Sequence, residues 1–117
     1  DWVLCNHVLE HVPDDAQALR ELFRVLKPGG RAVLQTPFAS GLETSLENPA
    51  EIDSDPKRLE FYGQEDHVRL YGRDLFTRIQ TAGFQLALKK HGECLPDIDA
   101  ARYGVNPEEP LFLCVKP

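Results

Sequence analysis

The apolar positions of the chain fall into two kinds of pattern, short continuous runs and stripes with helical spacing. Residues 2–6 are apolar without alternation, which is typical of a parallel strand covered on both faces by helices. Residues 13–15, Pro-Asp-Asp, favour a helix start, and residues 28–30, Pro-Gly-Gly, favour its end. Between them, four large apolar side chains recur at i, i+3, i+4 and i+7: Leu19, Leu22, Phe23 and Leu26. The pattern therefore predicts a strand followed by a helix that packs one stripe on a sheet.

The rest of the chain continues this alternation of strands and helices. The pattern predicts, in order, a strand at 31–36, a long connection at 38–70 with a short helix at 55–62, a helix at 72–82, a strand at 84–90, a short helix at 97–103 and a strand at 111–115. The first two strands flank a helix, so a right-handed parallel crossover joins them. Because little helix separates the last two strands, we expect them to be antiparallel neighbours. The predicted fold class is α/β.

Negative charge is concentrated in the long connection. The net charge of −6 falls between residues 38 and 66, which hold eight acidic and two basic residues, whereas the remainder is balanced. This disfavours nucleic acid as a partner, because nucleic-acid binding depends on basic patches. We interpret residues 38–70 as an acidic cap or active-site connection, with a solvated loop as the alternative.

The composition favours neither a membrane protein nor one stabilised by disulfides. No apolar run approaches the roughly 20 residues that a membrane span needs, so we expect no membrane partner. Cys5, Cys94 and Cys114 are odd in number and form no CxxC pair, which disfavours a disulfide framework. Thiols in apolar strands indicate a reducing compartment and predict a cytoplasmic protein.

Two polar residues that can contact a ligand stand at the carboxyl end of the first strand. In open α/β sheets, ligands bind beyond the carboxyl ends of the strands, where the strand order reverses. Asn6 and His7 occupy that end of the first strand, so they are predicted to lie on the rim of a binding site. The alternative is a strand-to-helix turn that binds no ligand.

Two sequence motifs in combination point to a family. Asp1-x-Val3 with Leu9-Glu10-His11-Val12, followed by residues 24–30 (Arg-Val-Leu-Lys-Pro-Gly-Gly), resembles the fourth strand, the next helix and the fifth strand of class I S-adenosylmethionine-dependent methyltransferases. Residues 71–84 and 111–115 resemble the following helix and the last two strands. The resemblance implies a partial Rossmann-like methyltransferase sheet (fourth to seventh strands, the last one antiparallel) with flanking helices. Residues 1–117 would then be the C-terminal part of a single methyltransferase domain.

The same resemblance implies that the cofactor is S-adenosylmethionine. The backbone of Asn6 and His7 would contact its methionine part. The family's first strand, Gly-rich loop and ribose-binding acidic residue have no counterpart in this chain, so we expect the complete cofactor site to be absent from it. At about 30 residues per βα unit, we expect roughly 70–90 residues upstream. We also expect the chain alone to be inactive.

His67 and His11 are the predicted catalytic residues. Methyl transfer is an in-line displacement in which the protein aligns the acceptor and removes its proton where necessary, and histidine suits that task. Residues 64–69 stand where related enzymes close over substrate, so His67 is interpreted as a general base or substrate contact and Arg69 as an anion contact. The alternative is a loop-stabilising pair between either residue and the acidic residues at 65 and 66.

A metal site is a further possibility at the same place. His7, Glu10 and His11 are spaced i, i+3, i+4, and His67 adds a distal fourth ligand for a divalent ion. The set is similar to the Glu-x-x-Glu-His and distal His of metal-dependent RNA 2′-O-methyltransferases, with His7 in place of the first carboxylate. The alternative is a family turn in which Glu10 bonds to backbone. We favour that alternative and assign no metal ligand.

Three functions remain in competition. The leading hypothesis is a fragment of an S-adenosylmethionine-dependent methyltransferase that acts on a small molecule. The second is a non-catalytic half-domain that folds by self-association or with a partner, for example as a homodimer through the exposed edge of the first strand. The third is another Rossmann-like nucleotide enzyme such as a dehydrogenase, against which the pair of motifs argues.

Overall fold

The computed structural model describes residues 1–117. Its strands are β1 (Trp2–Asn6), β2 (Arg31–Gln35), β3 (Gln85–Lys90) and β4 (Pro110–Val115). Its helices are α1 (Asp15–Val25), α2 (Asp55–Tyr62), α3 (Asp74–Thr81), α4 (His91–Cys94) and α5 (Ala100–Tyr103), and a 3-10 turn at Leu9–His11 precedes α1. Every predicted strand and helix is present, with ends shifted by at most three residues. The one-turn helix α4 was not predicted, because four residues carry no periodic pattern.

The four strands form one sheet in the order β1-β2-β4-β3. β1 and β2 are parallel, with Asn6 opposite Gln35 at their carboxyl ends. β4 is antiparallel to both β2 and β3. The α/β class and the antiparallel pairing of the last two strands are thereby confirmed.

Helix α1 is fixed at both ends by side chains. The Asp14 carboxylate accepts a hydrogen bond from the Gln17 backbone N–H at 2.8 Å, which satisfies a free donor of the first turn. At the other end, the Lys116 ammonium donates to the carbonyl oxygens of Phe23 and Leu26, each at 2.8 Å. Lys116, which directly follows β4, thus connects the C-terminal end of α1 to the sheet.

The core lies between α1, α3 and one face of the sheet. It contains twelve buried apolar residues from these elements and the adjoining turns: Cys5, Leu9, Leu19, Leu26, Ala32, Leu34, Tyr71, Leu75, Ile79, Phe84, Phe112 and Cys114. Gly83 ends α3 with φ of 109°, and a Cβ there would approach the Phe23 ring to 2.8 Å. Only glycine meets both conditions, so Phe23 and Phe84 can pack edge to face at 5.1 Å.

The opposite face of the sheet has no helix packed on β1. Trp2 and Leu4, which alternate with the inward Val3 and Cys5, are 56% and 71% exposed. The guanidinium of Arg31 stacks over the Trp2 ring at 5.4 Å. β1 is also an edge strand, because it pairs only with β2.

The connection 38–70 packs against the rest of the molecule. Its ends form single bridges, Phe38 with Tyr71 and Leu46 with Leu70, and its apolar Ile52 and Tyr62 are buried. All eight acidic residues of this segment are exposed. Its role as an acidic cap or active-site connection remains a prediction.

Candidate functional site

The carboxyl end of β1 opens into a tight turn at His7. This residue has φ of 54°, a left-handed conformation that is uncommon outside glycine and concentrates at functional sites. Its backbone N–H donates to the Gln35 carbonyl at 2.8 Å, so the turn is locked to the end of β2. Asn6 and the His7 side chain are both exposed, which leaves them free to contact a ligand.

Glu10 is the most deeply buried acidic residue of the chain, with 1% exposure. Its Oε2 atom accepts a hydrogen bond from the Thr36 hydroxyl at 2.9 Å. Its Oε1 atom accepts none, although His7 Nδ1 lies 3.3 Å away and His11 Nε2 lies 3.9 Å away. A buried carboxylate oxygen without a hydrogen bond is costly, and such an atom calls for an explanation.

His11 and His67 face each other beside this oxygen. Their rings meet edge to face, with centroids 4.7 Å apart. The Nδ1 atom of His67 lies 3.1 Å from the carbonyl of Tyr62, which can only accept, so in the neutral ring Nδ1 carries the proton and Nε2 the lone pair. His11 Nδ1 lies 3.2 Å from an Asp66 carboxylate oxygen, which leaves its Nε2 directed at Glu10.

The structure brings together Glu10, His11 and His67, each offering one ligand atom within 4.8 Å of the others. His7 lies outside this set, although it contacts Glu10. The expected grouping on one helical turn is only partly right, because the helical turn spans Leu9–His11 and His7 precedes it in a left-handed conformation.

Arg69 is a structural residue. It is buried, and its guanidinium donates to the carbonyl oxygens of Leu9 and Pro13, each at 2.8 Å, and also to that of Val12. It also pairs with Glu47 at 3.1 Å. The expectation that Arg69 holds an anionic ligand is wrong, because its donors are used by the protein. The proposed pairing of His67 or Arg69 with residues 65 and 66 is also wrong, since Asp66 instead faces His11.

Arg69 belongs to a polar network around Asp15. The Asp15 Oδ2 atom accepts hydrogen bonds from Tyr71 and Arg78, each at 2.8 Å. Burial alone raises the pKa of Asp15, but those hydrogen bonds and the charges of Arg69 and Arg78 outweigh it, so the pKa is lowered. Burial and the bond to Asp15 raise the pKa of Tyr71 far above its usual range. Asp15 is therefore held as the carboxylate and Tyr71 as the neutral phenol near neutral pH.

The cysteines do not supply a nucleophile to the site. Burial, and then the charge of Glu10, raise the pKa of the Cys5 thiol. Burial raises the pKa of Cys114 to about 12. Since the thiolate is the reactive form, neither residue reacts readily at neutral pH.

Three contributors to the site escaped the sequence analysis. Thr36 orients Glu10, Asp66 orients His11, and the Tyr62 carbonyl orients His67. Thr36 carries a usable signal, because it directly follows β2 and the carboxyl ends of parallel strands share one edge. No sequence pattern predicts the roles of Asp66 and Tyr62. Tyr62 in particular acts through its backbone carbonyl, which every residue has.

Comparison with known proteins assigns the fold first and the family second. Over its full length the chain superposes on the (4+2)-cyclase SpnF with a TM-score of 0.57 at 17% identity, covering 49% of that chain. A Bacillus halodurans C-125 protein, assigned as a methyltransferase, aligns over 99% of the chain and 64% of its own length, with a TM-score of 0.56 at 18% identity. These likenesses establish a Rossmann-like fold of the methyltransferase type.

A family model described as "Methyltransferase domain" matches residues 1–89. The chain therefore belongs to the S-adenosylmethionine-dependent methyltransferase-domain family. Its four strands correspond to the fourth to seventh strands of the class I sheet, as the sequence resemblance implied.

The curated relatives are methyltransferases of several kinds. A Mycolicibacterium smegmatis protein named "Probable S-adenosylmethionine-dependent methyltransferase" is 34% identical over 111 residues, covering 89% of the chain and 37% of the relative. Mouse arsenite methyltransferase is 37% identical over 84 residues, covering 72% of the chain and 20% of the relative. The ubiquinone biosynthesis O-methyltransferase of Pseudomonas paraeruginosa is 50% identical over 36 residues, or 31% and 16% of the two chains. The matched residues thus make up less than two fifths of the length of each of these relatives.

The helices give no sign of a membrane span. None has the length and apolar character needed to cross a bilayer.

Proposed function

We propose that this chain is the acceptor-side part of an S-adenosylmethionine-dependent methyltransferase that acts on a small molecule. The observation that carries the proposal is the group of Glu10, His11 and His67 beyond the carboxyl end of β1, in a chain of this family. Ligands of open α/β sheets bind at that end. The acidic surface of residues 38–70 supports a small acceptor over nucleic acid.

Asn6 and His7 would hold the cofactor. They are exposed at the rim, beside a Glu10 carboxylate that has one free oxygen, and this polar surface fits the charged amino-acid end of S-adenosylmethionine. When bound, S-adenosylmethionine supplies the methyl group. We propose that residues 1–117 do not transfer it alone, because no strand among them leads into a Gly-rich loop.

His67 and His11 would be the catalytic residues that contact the acceptor. The free Nε2 atom of His67 is fixed in direction by the bond between Nδ1 and the Tyr62 carbonyl. It can accept a hydrogen bond from an acceptor O–H or N–H group and orient that group for attack. His11 lies across the same space, so the two rings define where the acceptor atom sits.

The cofactor contact can be tested by NMR on the isotope-labelled chain. We expect S-adenosylhomocysteine to shift the backbone amide signals of Asn6 and His7. Methylthioadenosine, which has no amino-acid part, serves as the matched ligand and should leave those two signals in place. Incubation with labelled S-adenosylmethionine and a small-molecule extract should give no methylated product from residues 1–117 alone. Shifts that avoid Asn6 and His7, or no shifts at all, would contradict the proposal.

A second candidate is a non-catalytic half-domain that associates through β1. The exposed Trp2 and Leu4 and the unpaired edge of that strand favour it. If it holds, sedimentation velocity will show a homodimer, and Leu4→Lys will shift the population towards monomer. Lys89→Glu, at the far end of the sheet on β3, is the control and should leave the dimer intact. A monomer at all concentrations rules out the homodimer.

A further inference from the structure

The buried Glu10 carboxylate has no hydrogen-bond partner for one of its oxygens, yet nitrogen atoms surround that oxygen. His7 Nδ1 and His11 Nε2 lie 3.3 and 3.9 Å away, and His67 completes a set of ligand atoms within 4.8 Å of one another. We infer that Glu10, His11 and His67 form a binding site for one divalent transition-metal ion. This reverses the sequence-based assignment of no metal ligand.

Each of the three side chains is held from behind by its other polar atom. Thr36 donates to Glu10 Oε2 at 2.9 Å, Asp66 lies 3.2 Å from His11 Nδ1, and the Tyr62 carbonyl lies 3.1 Å from His67 Nδ1. In metal sites, ligating histidines almost always donate their second ring N–H to a carboxylate or a backbone carbonyl. The three remaining atoms, Glu10 Oε1 and two Nε2 atoms, are therefore the ones that point inward.

The donor set indicates which ions would bind. Two imidazoles and one carboxylate suit zinc, iron, cobalt or manganese, whereas magnesium and calcium prefer oxygen donors throughout. Three protein ligands leave at least one coordination position open, as in catalytic rather than structural zinc sites. The His7 side chain is 64% exposed, and its Nδ1 atom lies 3.3 Å from the same Glu10 oxygen.

The ligand atoms of Glu10, His11 and His67 lie slightly farther apart than they would around a bound ion. An ion with ligand distances of about 2.1 Å in tetrahedral geometry holds its ligand atoms roughly 3.4 Å apart. The ligand atoms here lie within 4.8 Å of one another, so closure needs a movement on the order of 1 Å. His11 can supply it, because its side chain is 31% exposed whereas Glu10 and His67 are buried.

The open coordination position would face the methyl acceptor. In the metal-loaded chain, the ion would hold a hydroxyl or amine of the acceptor there, and His11 and His67 would be ligands of the ion instead of contacting the acceptor directly. That role rests on the proposed function, whereas the binding of the ion does not. The two can therefore fail separately.

Titration of the chain with Co²⁺ tests the site without any activity. We expect one equivalent to bind with visible d–d absorption typical of fewer than six ligands, and Zn²⁺ to displace it. Glu10→Gln and His67→Gln should each weaken Co²⁺ binding roughly 100-fold or more, since even outer partners of ligands contribute 10–100-fold.

Two further variants separate the site from general effects on folding. Asp66 is 66% exposed, so Asp66→Asn leaves the core unchanged, yet it should weaken Co²⁺ binding about tenfold by releasing His11. His91→Gln is the matched control, because His91 also faces a carboxylate, Glu109 at 3.6 Å, but lies outside the cluster. It should bind Co²⁺ like the unaltered chain.

The results that overturn the inference are distinct. A chain that binds no Co²⁺, or binding that Glu10→Gln and His67→Gln leave unchanged, rejects the metal site. Equal weakening by Asp66→Asn and His91→Gln rejects the assignment of ligands. Co²⁺ binding without amide shifts from S-adenosylhomocysteine keeps the metal site and removes the proposed function.

Discussion

The buried carboxylates of Glu10 and Asp15 lie five residues apart in sequence and differ in their hydrogen-bond partners. Asp15 accepts hydrogen bonds from Tyr71 and Arg78, and the guanidinium of Arg69 lies 3.9 Å away. Glu10 has a single hydrogen bond, from Thr36, and one oxygen with none. The Asp15 carboxylate has two guanidinium groups beside it, whereas the Glu10 carboxylate keeps one buried oxygen without a hydrogen bond.

This difference separates a structural charge from a functional one. A buried ion pair such as that of Asp15 with Arg78 stabilises one arrangement of the chain, because removing one partner leaves the other charge unpaired. A buried carboxylate oxygen without a hydrogen bond lowers stability, and proteins keep such groups mainly at sites that bind a ligand or react. The contrast therefore predicts that substitutions in the Asp15 network affect folding, whereas substitutions at Glu10 affect ligand binding.

The largest effect is expected from Arg69→Met. Methionine matches the stem of arginine but leaves the carbonyls of Leu9, Val12 and Pro13 without their donor and leaves Glu47 with Arg78 alone. Breaking a buried pair in this way costs about 3–5 kcal/mol in the free energy of unfolding. Urea unfolding followed by circular dichroism measures it.

Arg73→Met is the control for that measurement. Arg73 pairs with Glu43 at 3.0 Å, but both side chains are more than half exposed. Exposed pairs contribute about 0–1 kcal/mol, so this variant should unfold at nearly the same urea concentration as the unaltered chain. Similar losses for both arginines would contradict the structural role of Arg69.

A smaller effect, which depends on pH, is expected from Asp15→Asn. Hydrogen bonds between charged buried partners contribute about 1.5–3 kcal/mol, so a loss of that order is expected at pH 7. The pKa of Asp15 is lowered in the folded state, so its stabilisation is present above the unfolded carboxyl value of about 3.9 and is lost as the pH falls through the folded value. The difference between the two chains should therefore shrink below about pH 4.

Glu10→Gln provides the contrast and the smallest expected change. Glutamine keeps an oxygen for the Thr36 hydroxyl and removes the negative charge from a buried group whose other oxygen has no hydrogen bond, so its cost should stay below about 1 kcal/mol. Unfolding of the two variants side by side checks the comparison. If Glu10→Gln destabilises the chain as much as Asp15→Asn, Glu10 is structural too.

Most of the fold follows from local patterns in the sequence. The stripe at Leu19, Leu22 and Phe23 predicted α1, and Gly83 predicted the end of α3, because these signals depend on residues close in the chain. The antiparallel last strand followed from the short connection before it. Such rules need no knowledge of distant contacts.

The site could be predicted only in part. Asn6 and His7 could be placed on the rim, because that position depends only on where β1 ends. The meeting of His67 with His11 was an inference about long-range closure, and the structure brings them together. The role of Arg69 could not be read from sequence, because its partners are backbone carbonyls more than fifty residues away. A guanidinium in a loop looks the same in sequence whether it binds a ligand or the chain itself.

The similar solved structures show that this fold is compatible with more than one reaction. SpnF is a cyclase by name, yet the chain superposes on it over its whole length. A shared fold therefore does not fix the reaction, and function has to be argued from the site. For this chain that argument rests on Glu10, His11 and His67.

The long sequence separation between Arg69 and its hydrogen-bond partners also affects the expected order of folding. Its bonds to Leu9, Val12 and Pro13 join positions separated by 60, 57 and 56 residues. The turn that carries Glu10 and His11 cannot take its final shape until a loop of that size has closed, and such closure is slow compared with local helix formation. We therefore expect the candidate site to assemble late, after the helices that flank it, and to be lost together with the docking of residues 38–70 rather than by local fraying.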